Sequence, residues 1–355
     1  MSRWKDIPKL TYSNKDLNFK LYEESESKLD SFLRYTWEKA HDYGVFRYKL
    51  KIQASKELPG KYSFVAQASL NEDRATKRRE PQVIQKIGEP FNPNLFNFTL
   101  LKKEEILFQL RCEEGQHESD YIAINASPLE YGNCLLLPCL EECHPQIVKE
   151  YGLKFAVKFL LLSGSYDMRV GFNGLCAFAS VNHQHYHGYY LKTRMLLERI
   201  AVHHLSGPCY TLLDFASKGF VFQLLGEDVD GLVRNVYKLA NYFQTKNIAH
   251  NLFMTRGWTF ERSSELESTS SAYYTVRVYV WGRKPSHGYK KVDAFNPALC
   301  ELFGHLPTKK REIYDELTEE YVVDILHEIT HEVFVSVKEE VRMLFSEDTY
   351  EEPKS

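Results

Sequence analysis

The sequence predicts an α+β fold in two related lobes, each an antiparallel sheet with packed helices. Three observations predict it. Short β-favouring runs, broken by charged or Pro/Gly/Asn turns, fill residues 45–138. Longer stretches with helical spacing of apolar residues stand between groups of such runs. The succession of strands, helix and strands occurs twice along the chain. At 355 residues the chain is long for a single core. Its 43% hydrophobic and 14% aromatic content, with 23 Tyr and 22 Phe, provides a packed interior and speaks against disorder.

The first 30 residues are polar and read as a peripheral arm. "SKLDSFLRYTWEKAHDYG" (27–44) carries Leu29, Phe32, Leu33 and Trp37 at amphipathic spacing and stops at Gly44, so it predicts a helix. "YSFVAQASL", "FNFTLL", "EILFQLRC" and "DYIAINASP" then read as strands, with "EYGNCLLLP" as a return strand. Residues 145–164 predict a helix, with Pro145 near its start and Gly164 near its end. "DMRVGFNGL" and "ASVNHQHYHGYYL" resume the strand pattern. The second stretch repeats the order: "DVDGLVRNVYKLANYFQTKN" as helix, "AHNLFMTRG" and "AYYTVRVYVWGRK" as strands, and "TEEYVVDILHEITHEVFVSVKEEVRMLF" as a long closing helix. The expected division is an arm and helix at 1–43, a first lobe at 44–205 and a second lobe at 206–355.

Charge excludes several functions. Lys+Arg 45 against Asp+Glu 48 gives a net charge of −3, which offers no bulk attraction to nucleic acid or an anionic membrane. No apolar run approaches the roughly 20 residues that cross a bilayer. The opening "MSRWKDIPKLTYSNKD" lacks a secretory apolar core. Seven scattered cysteines, an odd number, fit a reduced, cytoplasmic protein.

The chemistry concentrates in "ASVNHQHYHGYYL" (179–191), where His183, His185 and His187 stand at every second position and Gly188 follows. In a strand, same-face neighbours are about 6.6 Å apart, so the three line one face and the outer pair is roughly 13 Å apart. That singles out the central His185. Such a row suits zinc, with Cys139, Cys143 and His144 as weak further ligands. It equally suits general acid–base work near a pKa of about 6.5, or nucleophilic attack on phosphorus through a phosphoramidate.

"SVNHQHYHGYYL" resembles the signature of the histidine-triad superfamily of nucleotide hydrolases and nucleotidyl transferases. "YIAINASPLEYGNCLLLP" resembles its nucleotide-binding hairpin. "PQVIQKIGEPFNPNLFNFTLLKKEEILFQL", "RVGFNGLCAFASVNHQHYHGYYL" and "DAFNPALCELFGHLPTK" are similar to the GDP-hexose phosphorylase family, over about Gly44 to Lys309. The third histidine matches the animal branch acting on GDP-D-glucose, where the plant branch has Gln. The resemblance implies a histidine-triad fold and ping-pong transfer of GMP through His185. GDP-hexose and inorganic phosphate would be the partners, with no metal or other cofactor. His183 would orient His185 and His187 would act on phosphate oxygens. Because a third His goes mostly with hydrolases in the superfamily at large, water remains an alternative acceptor. A guanine-nucleotide-binding regulator without turnover is the alternative outside enzymes.

By the same resemblance, Asn173 and Ser180 would contact the α-phosphate and Asn125 the ribose hydroxyls. Arg78 and Arg79, in "KRRE" (77–80), and Lys284, after a strand, are further candidates for holding phosphate. "HEITH" (327–331) has the His-Glu-x-x-His form of a metalloprotease helix. The helix stripe Val322, Leu326, Ile329, Val333, Val337 places His327 and His331 toward solvent, and a third ligand would have to come from the acidic tail, for example Glu351. A zinc site there is not expected.

Overall fold

The computed structural model describes residue 4 and residues 6–68, 82–115, 119–261, 274–286 and 295–346. In chain order its strands are β1 (Lys9–Tyr12), β2 (Ala54–Glu57), β3 (Val65–Ala68), β4 (Ile106–Cys112), β5 (Tyr121–Ile124), β6 (Cys134–Leu137) and β7 (Met168–Asn173). They continue with β8 (Tyr186–Tyr190), β9 (His203–Ser206), β10 (Cys209–Leu212), β11 (Gly219–Gln223), β12 (Ala249–Trp258), β13 (Tyr274–Arg283) and β14 (His305–Thr308). The helices are α1 (Lys28–Asp42), α2 (Glu150–Leu162), α3 (Val229–Thr245), α4 (Leu299–Phe303), α5 (Arg311–Glu316) and α6 (Glu319–Ser346).

The two lobes share one sheet. Its order is β1-β4-β5-β6-β8-β7-β12-β13-β11-β10-β9. Read outward from the centre, β7, β8, β6, β5, β4 mirrors β12, β13, β11, β10, β9. The connections repeat as well: β6–α2–β7–β8 in one half and β11–α3–β12–β13 in the other. The expected two separate sheets are therefore joined by antiparallel pairing of β7 with β12, from Asn173↔Asn251 to Val170↔Met254. The reason lies in composition. Both central strands are buried on both faces, so neither can serve as a solvated edge. The expected boundary between 205 and 206 falls inside β9. A smaller sheet, β14-β3-β2, also mixes the two halves, with β14 parallel to β3.

One face of the large sheet is covered by α1, α2 and α3, whose Leu33, Phe159 and Val236 join Phe172, Tyr186 and Val278 in the main core. The opposite face carries two separate apolar clusters. One centres on Phe98, Leu101, Ala123 and Leu135. The other centres on Tyr189, Phe253, Tyr279 and Leu302. Helix α6 wraps the sheet: Val322 and Leu326 pack in the second of these clusters, Phe334 and Val341 in the main core.

Three expectations change. The N-terminal segment is no loose arm, because β1 pairs in parallel with β4 and Trp4, Ile7, Tyr12 and Leu21 are buried. "FNFTLL" is no strand but a 3₁₀ turn at Phe98–Leu100, capped by the Asn97 side chain accepting from the Thr99 amide at 3.1 Å. The helix expected from Pro145 begins only at Glu150, because Gln146 is drawn into the site described next.

Candidate active site

Only His187 of the histidine row lies within a strand. His183 and His185 precede β8 in irregular backbone. Strand alternation therefore does not set their spacing, and the three rings do not share one surface. His185 and His187 meet edge to face with centroids 5.2 Å apart and line a cleft on the sheet face opposite α2. His183 lies behind it, packed against Phe91 and Phe98. Its Nδ1 accepts the Phe98 amide at 3.1 Å, so that nitrogen carries no proton. Burial and the neighbouring His185 push its pKa down to about 3, against an opposing hydrogen bond to the Leu140 backbone.

The contact that matters most joins the two. His185 Nδ1 lies 2.7 Å from the His183 carbonyl oxygen. A carbonyl can only accept, so Nδ1 must carry the ring proton. Nε2 is then left with its lone pair. Burial pushes the His185 pKa down to about 4, with the His183 carbonyl as the opposing cause. At neutral pH the central histidine is an unprotonated base of fixed tautomer.

Gln146 holds its backbone. The Gln146 Oε1 accepts the His185 amide at 2.7 Å, and its Nε2 donates to the carbonyls of His185 at 3.0 Å and Asn173 at 2.8 Å. Its own amide donates to Asn182 Oδ1 at 2.9 Å, and Asn182 Nδ2 donates to the carbonyls of Glu89 and Pro90. Gln146 is almost wholly buried. Beyond His187, Gly188 is required by close approach: a Cβ there would meet Cys134 Sγ at 3.0 Å and Phe159 at 3.2 Å. That lets β8 lie flat against α2.

The cleft gathers Asn125, Asn173 and Ser180 beside His185 and His187. Asn173 Oδ1 accepts from Asn251 Nδ2 at 2.7 Å and from the Leu299 amide at 3.1 Å, which turns its Nδ2 donor to the cleft. Ser180 ends a tight loop in which Cys176 and Phe178 have φ of 57° and 70°, a left-handed conformation costly for large L residues and concentrated at functional sites. The Asn125 side-chain Nδ2 donates to Asn133 Oδ1 at 2.9 Å, and Asn133 Nδ2 donates to the Gly188 carbonyl at 3.1 Å, so the hairpin is tied to β8. The second half completes the wall with Asn296, Leu299, Glu301 and Lys309.

Residues 28–189 match the model of the family described as "GDPGP1-like, N-terminal domain", and residues 193–347 that described as "GDPGP1-like, C-terminal domain". The chain belongs to the GDPGP1-like family. GDP-D-glucose phosphorylase 1 of Danio rerio is 40% identical over 90% of this chain and 93% of its own length. GDP-D-glucose phosphorylase 1 of Homo sapiens is 39% identical over 85% of this chain and 80% of its own length. Among solved structures, yeast Ap4A phosphorylase Apa2 in complex with Ap4A matches with a TM-score of 0.57 at 15% identity, covering 86% of this chain and 98% of its own. That likeness establishes the histidine-triad-like fold.

Within this GDPGP1-like chain, Lys284 stands apart from the other candidates. It does not line the cleft and pairs with Glu332 on α6 at 2.9 Å, because β13 ends against that helix, where the Lys284 amide donates to the Ile329 carbonyl. Arg78, Arg79 and Glu351 lie outside the described residues. The cations lining the cleft among the described residues are Arg47 and Lys309, which the sequence reading missed. It also missed Gln146, since no local pattern marks a residue that bonds to positions 27 and 39 further along. His144 contacts Glu142 at 2.9 Å, and among the described residues no three His, Cys, Asp or Glu side chains are grouped to hold a metal ion. On α6, His327 is exposed and stacks on His331 at 4.2 Å. No helix of the described residues is long and apolar enough to cross a membrane.

Proposed function

We propose that the chain is a GDP-D-glucose phosphorylase, converting GDP-glucose and phosphate to GDP and glucose 1-phosphate by two displacements at His185. Its relatives carry that activity in their names. The single observation supporting the mechanism is the 2.7 Å contact of His185 Nδ1 with the His183 carbonyl, which leaves Nε2 as the nucleophile. Nε2 attacks the α-phosphorus. The Nε2–P bond forms, the bridging P–O bond breaks, and glucose 1-phosphate leaves. Nδ1 keeps its proton, hydrogen-bonded to the His183 carbonyl, which stabilises the positive charge gained by the ring. A phosphate oxygen then attacks the same phosphorus, the N–P bond breaks, and GDP leaves with His185 neutral again.

Asn173 Nδ2 and the Ser180 hydroxyl act as donors to the non-bridging oxygens as charge builds there. His187, 5.2 Å from His185, serves the bridging oxygen. Asn125 takes the ribose, and Arg47 and Lys309 offset the charge of the second phosphate and the incoming one. The seven free cysteines support a reducing, cytoplasmic setting.

The test is GDP-glucose labelled in the α-phosphate. Without phosphate, wild type should retain acid-labile, base-stable label on the protein, and added phosphate should chase it into GDP. His185→Ala should retain none. Steady release of labelled GMP without phosphate would make the protein a hydrolase and end the proposal.

A further inference from the structure

The strand that carries His187 divides the cleft. In register β8 lies between β6 and β7, with His187 opposite Leu135 on one side and Gly171 on the other. The cleft therefore has two ends, built from the two apolar clusters of that sheet face. Over β4, β5 and β6 its walls are Phe96, Phe98, Leu101 and Leu135. Over β7 and β12 they are the polar and mixed side chains of residues 296–301 and Lys309. His185 touches the first end directly, with its ring 4.9 Å from that of Phe98. An apolar end lined by Phe96 and Phe98 suits a purine, and the polar end suits a sugar phosphate.

Among the described residues two carboxylates line the cleft, Glu105 and Glu301, one at each end. Glu105 closes the 3₁₀ turn that leads into β4, and its Oε2 accepts the Lys102 amide at 2.8 Å. That bond fixes the carboxylate and leaves Oε1 and the second lone pair of Oε2 to accept. Guanine presents two parallel donors on one edge, N1–H and the exocyclic N2–H. Adenine presents an acceptor at N1 beside its N6–H donor, and a carboxylate repels that acceptor.

We propose that Glu105 reads the guanine base and sets the preference for guanine over adenine nucleotides. This rests on the reading that the cleft holds a nucleotide. Bound at the apolar end, the base places its ribose toward Asn125 and its α-phosphorus toward His185.

The experiment measures binding of GDP, IDP and ADP by calorimetry to wild type, Glu105→Gln and Glu301→Gln, with thermal unfolding to confirm that each is folded. Hypoxanthine lacks the N2 amino group, so IDP isolates one of the two bonds. Wild type should prefer GDP to ADP by about a hundredfold or more, since a site built to hydrogen-bond discriminates strongly. In Glu105→Gln the amide keeps an acceptor for the Lys102 backbone but offers guanine one donor and one acceptor. GDP binding should weaken by at least tenfold, the GDP-to-IDP ratio should fall toward one, and the ADP penalty should largely vanish. A folded Glu105→Gln with wild-type ratios overturns the assignment, as does loss of preference in Glu301→Gln instead. If GDP binds and only the ratios fail to move, the Glu105 assignment falls and the nucleotide site stands. If wild type binds none of the three, both fall.

Discussion

Gln146 gives the sharpest test of how the nucleophile is held. Its side chain satisfies three buried backbone groups, the amide and carbonyl of His185 and the carbonyl of Asn173. Gln146→Leu keeps the volume and removes all three bonds. A buried group left unpaired costs roughly 1–3 kcal/mol, and the losses do not add fully, so about 3 kcal/mol of destabilisation is expected. The same bonds hold His185 beside Asn173, hence beside the donor expected to meet the phosphorus. A shift of about 1 Å in that pairing lowers the rate of nucleotidyl transfer by about a hundredfold. GDP affinity should change by less than fivefold, because the base and ribose contacts proposed above lie on the β4–β6 side. Gln146→Glu is the informative partner. It still accepts the His185 amide, but sets a carboxylate oxygen against two carbonyls. Burial there raises its folded pKa above the unfolded value of about 4.3. The folded state then binds the extra proton, so the variant is least impaired near pH 5 and loses stability as pH rises. The assays are urea midpoints at pH 5 and 8 and rapid-quench trapping of label on His185. A Gln146→Leu protein with wild-type midpoint and wild-type trapping rate would refute the reasoning.

Two further outcomes follow from the same geometry. His183, His185 and His250 are buried with pKa values pushed down to about 3, 4 and 4. Between those values and about 6.5 the unfolded chain binds protons that the folded chain does not, so stability should fall as pH drops from 6.5 toward 4, measurable by denaturant midpoints. The acid limb of kcat/KM should lie nearer pH 4 than 6.5, and a midpoint at 6.5 would mean that the nucleophile is solvated. Replacing both His327 and His331 with Ala should leave phosphorolysis within a few-fold and stability within about 1 kcal/mol, since neither lines the cleft, His327 is exposed and His331 half-buried. A loss matching that of His185→Ala would move the active site to α6.

The parts of this fold that were legible in the sequence are those with local periodicity. The helix of 229–245 and strands β12 and β13 stand within a few residues of expectation, because one apolar face marks the helix and dense β-favouring runs mark the two buried strands. "FNFTLL" misled because its apolar run is equally compatible with a strand, and the decision rests on Asn97 turning to cap Thr99. The histidine row was legible as chemistry but not as geometry. Alternate spacing suggested a strand, whereas contacts from Phe98 and Gln146, distant in sequence, hold His183 and His185 in irregular backbone. Lys284 failed as a candidate because a charge after a strand carries no direction until the neighbour, here Glu332, is known. The division of the cleft between halves was illegible too, since Leu299 reaches Asn173 across 126 positions.

The pairing of β7 with β12 has a mechanical consequence. A protein that closes on its substrate by swinging two lobes needs a joint between them that can flex. Here that joint is a ladder of backbone hydrogen bonds at the centre of a buried sheet, and opening it would expose the core. The two halves of the sheet are therefore held as one body. Against that body the segment from Gln82 to Phe98 is held by the Gln82 amide to the Ser180 carbonyl and by the carbonyls of Glu89 and Pro90 to Asn182. Its last tie is the Phe98 amide on His183 Nδ1. Phe98 thus holds the ring of His183 while the His183 carbonyl holds that of His185, so one residue joins this segment to the central histidine.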